Sequence, residues 1–460
     1  MLYFSSLRPP LRFRPPSSCY RPFSFTPNTR FIKPTRYLRN VPPQSQLRPQ
    51  AIPSFREQVA RVTPIKSFAD SIKRPKILKH IITSILASGA VYIVAAGQTN
   101  IDTAFWAQFL PSFNPIWSMR SPTSEDMHRM RDGILLKKIQ NQVDSLAAYM
   151  ASYPVIIKQF VVHCYAAIGE NYINSSEGRR LAWGVGAASF GIWLAWQVPR
   201  FNPWLMRNFA HSPLSGRTYT LMTSVISHRG FLHWFFNITA LSGFGSATSN
   251  WMRREQSHAP SGMQEATTSN HFFAFLVTAG LFSSLCSHIY SARFKFSRII
   301  SQLSRPPPSI TPSTSRPSLL RRLFSSSPPP STPPASDASK IADALRPSLG
   351  ISGAVWSCVM ITGLAFPDAQ VRMFFDGAPP FSIKWAIYGG LGFDILGLIY
   401  GWRRFDHVAH LGGALFGALY FRYGIEFWDW LRAALWDSGM EEGFREASKD
   451  IDWSDDESKK

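Results

Sequence analysis

The sequence predicts an all-α polytopic membrane protein, with one leading transmembrane helix followed by a bundle of six. Two observations predict it. Seven apolar runs, most of them glycine-rich, approach the length of about 20 residues that a helix needs to cross a bilayer. The charge sorts consistently around them. Of a formal net charge of +21, much sits in stretches flanking those runs. With seven crossings, the Lys/Arg cluster before residue 81, a basic insert at 291–348 and the pair Arg403-Arg404 fall on one side. The acidic tail falls on the other, as the rule relating basic loops to topology requires.

Residues 1–56 contain ten Lys and Arg, many Ser and Pro, and no acid before Glu57. Arg-rich, Ser-rich and acid-free is the composition of an organelle import presequence, most often mitochondrial, and it is too proline-rich to fold into a core. Residues 57–99 supply the first flank and the leading span at 81–96. Residues 100–178 read as a linker with surface helices. One helix starts at Ser124-Glu125-Asp126 and runs to Met150; Pro154 interrupts it. The run 155–168 is too broken to span and is expected on the membrane surface or against the core.

Residues 179–424 hold the six further spans, at 181–198, 228–247, 271–290, 349–366, 383–401 and 406–424. The 291–348 insert is Ser/Pro-rich and basic, and is expected to be disordered. Residues 425–460 read as a polar acidic tail. Cys19, Cys164, Cys286 and Cys358 show neither metal spacing nor a disulfide framework. The basic charge lacks the interleaved aromatics of a nucleic-acid surface, so no nucleic acid is expected; the expected surroundings are the lipid bilayer.

The chemistry centres on Gly350-Ile351-Ser352-Gly353 at the start of the fourth core span. Alone, a serine between glycines is ordinary helix packing. Its company changes that reading. His410 lies 58 residues on, in another span, and a histidine inside a membrane is costly unless it functions. Its unperturbed pKa suits a general base for a serine nucleophile. Gly413 and Gly417 follow at three and seven residues, giving a small-residue face on which the serine helix can rest. His407 competes as base but lies nearer the membrane surface. His233 and Asn237, at i and i+4, share one face and offer donors for an oxyanion. Asp394 reads as a structural hydrogen-bond group. With no aspartate placed to orient His410, the reading is a Ser352–His410 dyad. Asp406, His407 and His410 form no H-E-x-x-H motif, so neither a metal nor another cofactor is expected.

At these residues the chain resembles the rhomboid intramembrane serine proteases, in the mitochondrial, presenilin-associated rhomboid-like branch. Gly350-Ile351-Ser352-Gly353 matches the family's G-x-S-G. Ala409-His410 with Gly413 and Gly417 matches its A-H-x-x-G-x-x-x-G, and His233 with Asn237 matches its H-x-x-x-N. Phe405-Asp406-His407, Asp394 and the one-plus-six layout resemble the mitochondrial branch. The long insert and the lack of a Trp-Arg pair in the first loop depart from the family. The resemblance implies a rhomboid-like six-helix bundle plus one extra N-terminal helix. It also implies Ser352 as nucleophile, His410 as base, and His233 and Asn237 as oxyanion donors. Implied substrates are single-span proteins of the mitochondrial inner membrane, such as a dynamin-like GTPase of membrane fusion or imported proteins with bipartite presequences. The implied placement is multi-pass in that membrane, with the N-terminus in the matrix and the tail in the intermembrane space. A catalytically inactive relative that binds and escorts membrane helices is the alternative.

Overall fold

The computed structural model describes residues 74–113, 120–303, 345–372 and 379–437. The presequence expected over 1–56, most of the insert and the end of the tail lie outside these. Nine helices carry the architecture of the described residues: α1 (Ile77–Phe113), α2 (Ser124–Tyr149), α3 (Val155–Ile173), α4 (Glu177–Trp196), α5 (Phe231–Gln256), α6 (Ser269–Tyr290), α7 (Ser352–Ala365), α8 (Ile383–Tyr400) and α9 (His407–Asp437). Among these residues the sheet content is a two-residue antiparallel pair, β1 (Gln370–Val371) with β2 (Phe381–Ser382), and one isolated bridge, His211–Ser348. The protein is an all-α membrane protein.

Helix starts are written in the sequence as polar caps. Thr123 and Asp126 cap α2 reciprocally, each side chain bonding the other residue's backbone N–H. Ser176 caps α4 through the Arg179 N–H, and Ser382 caps α8 through that of Lys384. Asp406 accepts from the Ala409 N–H at 3.2 Å at the entry to α9.

The helices at 77–110 and 269–301 are each long and apolar enough alone to cross a membrane. Helix α4 joins them if its bent continuation to Asn208, turned by 100°, counts with it. On α1 the large apolar residues Leu78, Ile85, Leu86 and Val94 point outward, while Tyr92, Ala95 and Ala96 are buried. In the other bundle helices, small residues mark the places where two helices approach closely. Glycines permit that closeness. A Cβ on Gly178 would strike the Gly245 carbonyl and Ser249, locking α4 to α5. One on Gly413 would overlap the Gly353 carbonyl, and one on Gly417 the Ser357 backbone, so α7 and α9 meet backbone to backbone. The Ser357 hydroxyl donates to the Gly413 carbonyl at 2.7 Å across that seam.

Helix α7 has 14 residues, about 21 Å against a hydrocarbon core of about 30 Å. A helix this short places its first residue, Ser352, below one membrane surface when its other end reaches the opposite one.

The bundle's two ends are chemically distinct. At one end the Lys76 carbonyl meets the His288 ring at 3.3 Å, and the Ser287 hydroxyl donates to Asp406 at 2.6 Å. The starts of α1 and α9 and the end of α6 therefore lie together, each beside one of the basic segments. At the other end, α2 is tied to α4 by Arg131–Glu177 at 2.7 Å and Arg180–Asp132 at 3.2 Å. Helix α3 folds back on α2 and leaves Ile156, Phe160 and Ile168 exposed.

Three expectations are corrected. Helix α1 runs well beyond 81–96. The stretch 291–303, read as part of a disordered insert, is helical: a π turn over Ser291–Lys295 rotates the following helix so that Phe296 and Ile299 bury against Leu345. Helix α9 does not end at 424 but continues to Asp437, because residues read as a polar tail face inward. Trp428 and Arg432 are fully buried. Arg432 donates to the Asn100 side chain at 2.9 Å and to the Gln264 carbonyl at 2.7 Å. Asp429 accepts from Gln256 at 3.2 Å and from the Ser261 hydroxyl.

Glu265 completes this cluster in the α5–α6 loop, with neither carboxylate oxygen hydrogen-bonded. Burial raises it from the ordinary 4.5 to about 7, against the opposing pull of Arg432. Between those values the folded chain binds a proton that the unfolded chain has lost. Stability therefore falls as pH rises through that window, by up to about 3 kcal/mol. Thermal denaturation in detergent from pH 5 to 7.5 should show this slope in the wild type, and Glu265→Gln should flatten it. Gly413→Ala should destabilise by at least about 1–3 kcal/mol in the same assay. Gly389→Ala, where a Cβ meets nothing within 4 Å, should stay within about 1 kcal/mol of wild type.

Candidate active site

Ser352 is the first residue of α7, where backbone N–H groups have no partner inside the helix. The segment leading to it is fixed from three sides. His211 and Ser348 exchange backbone bonds of 2.9 and 3.0 Å, the Gly350 N–H donates to the Ser224 carbonyl at 2.9 Å, and the Ile351 N–H reaches His228 Nε2 at 3.4 Å. Gly350 has φ +117°, which disfavours L side chains. A Cβ there would also lie 2.7 Å from the His233 ring. This position thus requires glycine twice over.

His410 sits one turn into α9. Its Nε2 lies 2.8 Å from Ser352 Oγ. Its Nδ1 lies 3.0 and 3.1 Å from the two carboxylate oxygens of Asp394 on α8. His407 Nδ1 meets the same carboxylate at 2.6 Å. An ionised carboxylate only accepts, so both Nδ1 atoms carry protons. That leaves His410 Nε2 with its lone pair toward the serine hydroxyl, the tautomer a general base needs. Asp394 is fully buried, and His410 keeps a side-chain exposure of 12%.

Asp394 is the site residue whose role the sequence missed. The expected dyad has a third member, and the statement that no aspartate orients His410 is overturned. Residues 394 and 410 are on different helices, so spacing along the chain carries no sign of their contact. His407 is not a rival base: it spends its Nδ1 on Asp394 and packs its ring against Gly397, where a Cβ would overlap it. Asp406 is bonded to Ser287 and the α9 start, apart from Asp394.

His233 and Asn237 share one face of α5, with the His233 ring exposed beside Gly350. The Asn237 amide donates one hydrogen to the His233 carbonyl at 2.8 Å, which leaves its second hydrogen for another acceptor. Gly353 allows α7 to approach α6, since a Cβ there would overlap Ser283. Beside Ser352 lies a polar cavity of about 20 Å³, lined by Ser224, Ser283, Ser284 and Asp406 among others. A volume of this size holds about one water.

A serine, an imidazole and a buried carboxylate thus lie in series inside an all-α membrane bundle. Residues 215–427 match the model of the rhomboid domain. The chain carries a rhomboid domain. Similar proteins include presenilin-associated rhomboid-like protein A, mitochondrial, of Danio rerio, 26% identical over 267 residues, which covers 58% of this chain and 53% of that one. The human presenilin-associated rhomboid-like protein, mitochondrial, is 26% identical over 255 residues, 55% of this chain and 50% of that one. Rhomboid protein 1, mitochondrial, of Saccharomyces cerevisiae is 22% identical over 241 residues, 52% and 50% of the two chains. The chain spans about half the length of these curated relatives. No solved structure matches. The rhomboid domain contains Ser352, His410, Asp394, His233 and Asn237, whereas α1 to α4 precede the matched residues.

Removing Asp394 strands two buried imidazole N–H groups, at about 1–3 kcal/mol each. Asp394→Ala should therefore lower stability by a few kcal/mol in chemical denaturation. Ser352→Ala, which empties only the hydroxyl, should stay within about 1 kcal/mol of wild type.

Proposed function

We propose that this chain is an intramembrane serine endopeptidase. The observation that supports it best is the 2.8 Å contact from His410 Nε2 to Ser352 Oγ, with His410 Nδ1 held by buried Asp394. In the reaction, His410 takes the serine proton as Oγ attacks the scissile carbonyl. Negative charge then develops on the former carbonyl oxygen. The N–H groups opening α7, with His233 and Asn237 from α5, are the donors that receive it. Asp394 stabilises the imidazolium and keeps its ring in place, without taking the proton. His410 returns the proton to the leaving amine. Water from the polar cavity beside Ser352 then attacks the acyl-enzyme, with His410 as base again. No cofactor enters any step.

The short α7 supports cleavage below the membrane surface. A substrate must bring a peptide bond there in extended form, so single-span proteins with helix-breaking residues near the cut are the natural class. The mitochondrial names of the relatives, and the acid-free, Arg-rich first 56 residues, support a mitochondrial membrane. Within it, we place the chain in the inner membrane as one leading span plus six, N-terminus in the matrix and C-terminus in the intermembrane space. Its substrates would be imported or membrane-dynamics proteins, a dynamin-like GTPase among them. The alternative, an inactive escort of membrane helices, is disfavoured because serine, base and carboxylate are all present and in register.

Cleavage of a single-span reporter in proteoliposomes tests this. Wild type should cut; Ser352→Ala and His410→Ala should each lose at least about 10³-fold. Asp394→Asn should lose much of the activity while keeping the fold. Undiminished cutting by Ser352→Ala, or an inert wild type across reporters with and without helix breakers, would contradict the protease reading.

A further inference from the structure

A second cluster of buried histidines lies at the active-site end of the bundle. His80 on α1, His211 in the loop after α4 and His288 near the end of α6 are all essentially inaccessible. One ring nitrogen of each lies within 4.8 Å of one nitrogen of each of the others. The His80 and His288 rings stack at 3.9 Å. These residues are far apart in the chain and form no motif, which is why the sequence raised no expectation of a metal.

The outer hydrogen bonds determine which nitrogens carry protons. His80 Nδ1 lies 2.5 Å from the Lys76 carbonyl, which only accepts, so that nitrogen is protonated. His288 Nε2 faces the same carbonyl at 3.3 Å, which accepts its hydrogen when that nitrogen carries it. His211 Nδ1 lies 2.9 Å from Thr220 Oγ1, whose own hydrogen goes to the Arg217 carbonyl at 2.8 Å; the histidine is therefore the donor. One tautomer turns every hydrogen outward and presents His80 Nε2, His211 Nε2 and His288 Nδ1 as inward lone pairs. Without a metal, the 2.9 Å contact of His211 Nε2 with His288 Nδ1 is a hydrogen bond, and its hydrogen moves to His288 Nε2, toward the Lys76 carbonyl, when a metal takes the two inward nitrogens. His80 Nε2 is buried with no hydrogen-bond partner, although the Arg217 carbonyl lies near its ring.

Three buried imidazoles with one nitrogen each within 4.8 Å of the others, and each with an oxygen beside its other nitrogen, are a ligand set that suits a divalent metal of borderline softness. We propose that His80, His211 and His288 bind one Zn²⁺ ion through His80 Nε2, His211 Nε2 and His288 Nδ1. Water or the Arg217 carbonyl completes four-coordination. Three nitrogens on one tetrahedral zinc stand about 3.4 Å apart, so the ion opens the 2.9 Å His211–His288 pair and turns the His80 ring out of its stack on His288. The ion joins α1, which precedes the rhomboid domain, to two elements inside or bordering it. Through the His211–Ser348 bridge it also braces the strand that enters Ser352. It is thus a clamp between the leading helix and the site, and it does not depend on the protease reading.

The test uses the full-length chain, purified in detergent without a histidine tag, incubated with zinc and passed over a chelating resin. Metal analysis should find about one zinc per chain, at least about tenfold less in His80→Gln and His288→Gln, and an unchanged amount in His410→Ala. Circular dichroism and gel filtration report whether the variants fold. Should they not, X-ray absorption at the zinc edge of the wild type decides: three imidazole ligands support the site, and one or none overturns it. Wild type that retains no zinc and gives no d–d bands with cobalt(II) overturns it too, as does full retention by folded His80→Gln. In those cases the cluster is a histidine stack and nothing more.

Discussion

The structure depends on two helices touching without side chains between them. Where α7 crosses α9, the Gly353 carbonyl occupies the space a Cβ on Gly413 would need, and the Ser357 backbone that of one on Gly417. In lipid no hydrophobic gain favours helix contact, so dispersion between close backbones and a hydrogen bond such as Ser357 to Gly413 must suffice. That closeness sets a 2.8 Å approach between side chains from helices 58 residues apart in the chain. Add one methyl group at the seam and the nucleophile and its partner separate.

A second constraint follows from the first. Polar groups drawn into an apolar bundle must be satisfied by the protein itself, since no solvent is at hand. Asp394 meets it by accepting from both His407 and His410 while fully buried, and that double use makes the site rigid and fixes the protonation pattern together. Asp406 meets it by capping α9 and accepting from Ser287. At the far end, Arg432, Asn100, Gln264 and Asp429 do the same for α1, α9 and the α5–α6 loop. Among the buried polar atoms that this pairing leaves without a partner are the Glu265 carboxylate oxygens, where a proton is taken up, and His80 Nε2.

Legibility in the sequence follows the range of the interactions. Ser352 with its glycines, His410 with Gly413 and Gly417, and His233 with Asn237 are each local patterns on a single helix, so helical periodicity exposes them. The role of Asp394 is a contact between helices, and nothing in the spacing announces it. The histidines at 80, 211 and 288 are invisible for the same reason. Helix α9 was cut short because Glu426, Asp429 and Arg432 look like a solvated tail, whereas Asp429 and Arg432 are buried against partners from other elements. The helical start of the insert was hidden by its serines and basic residues, and by a π turn that resets the apolar face. The fold class was legible because composition and length suffice for it.

The most direct measurement is covalent capture of the nucleophile. Wild type reconstituted in lipid is treated with a fluorophosphonate, and the adduct is located by peptide mass spectrometry. A single adduct on Ser352, strongly slowed in His410→Ala, is the predicted result, because only an imidazole aimed at Oγ makes that hydroxyl reactive. No adduct, or labelling of Ser352 at an equal rate without His410, would contradict it.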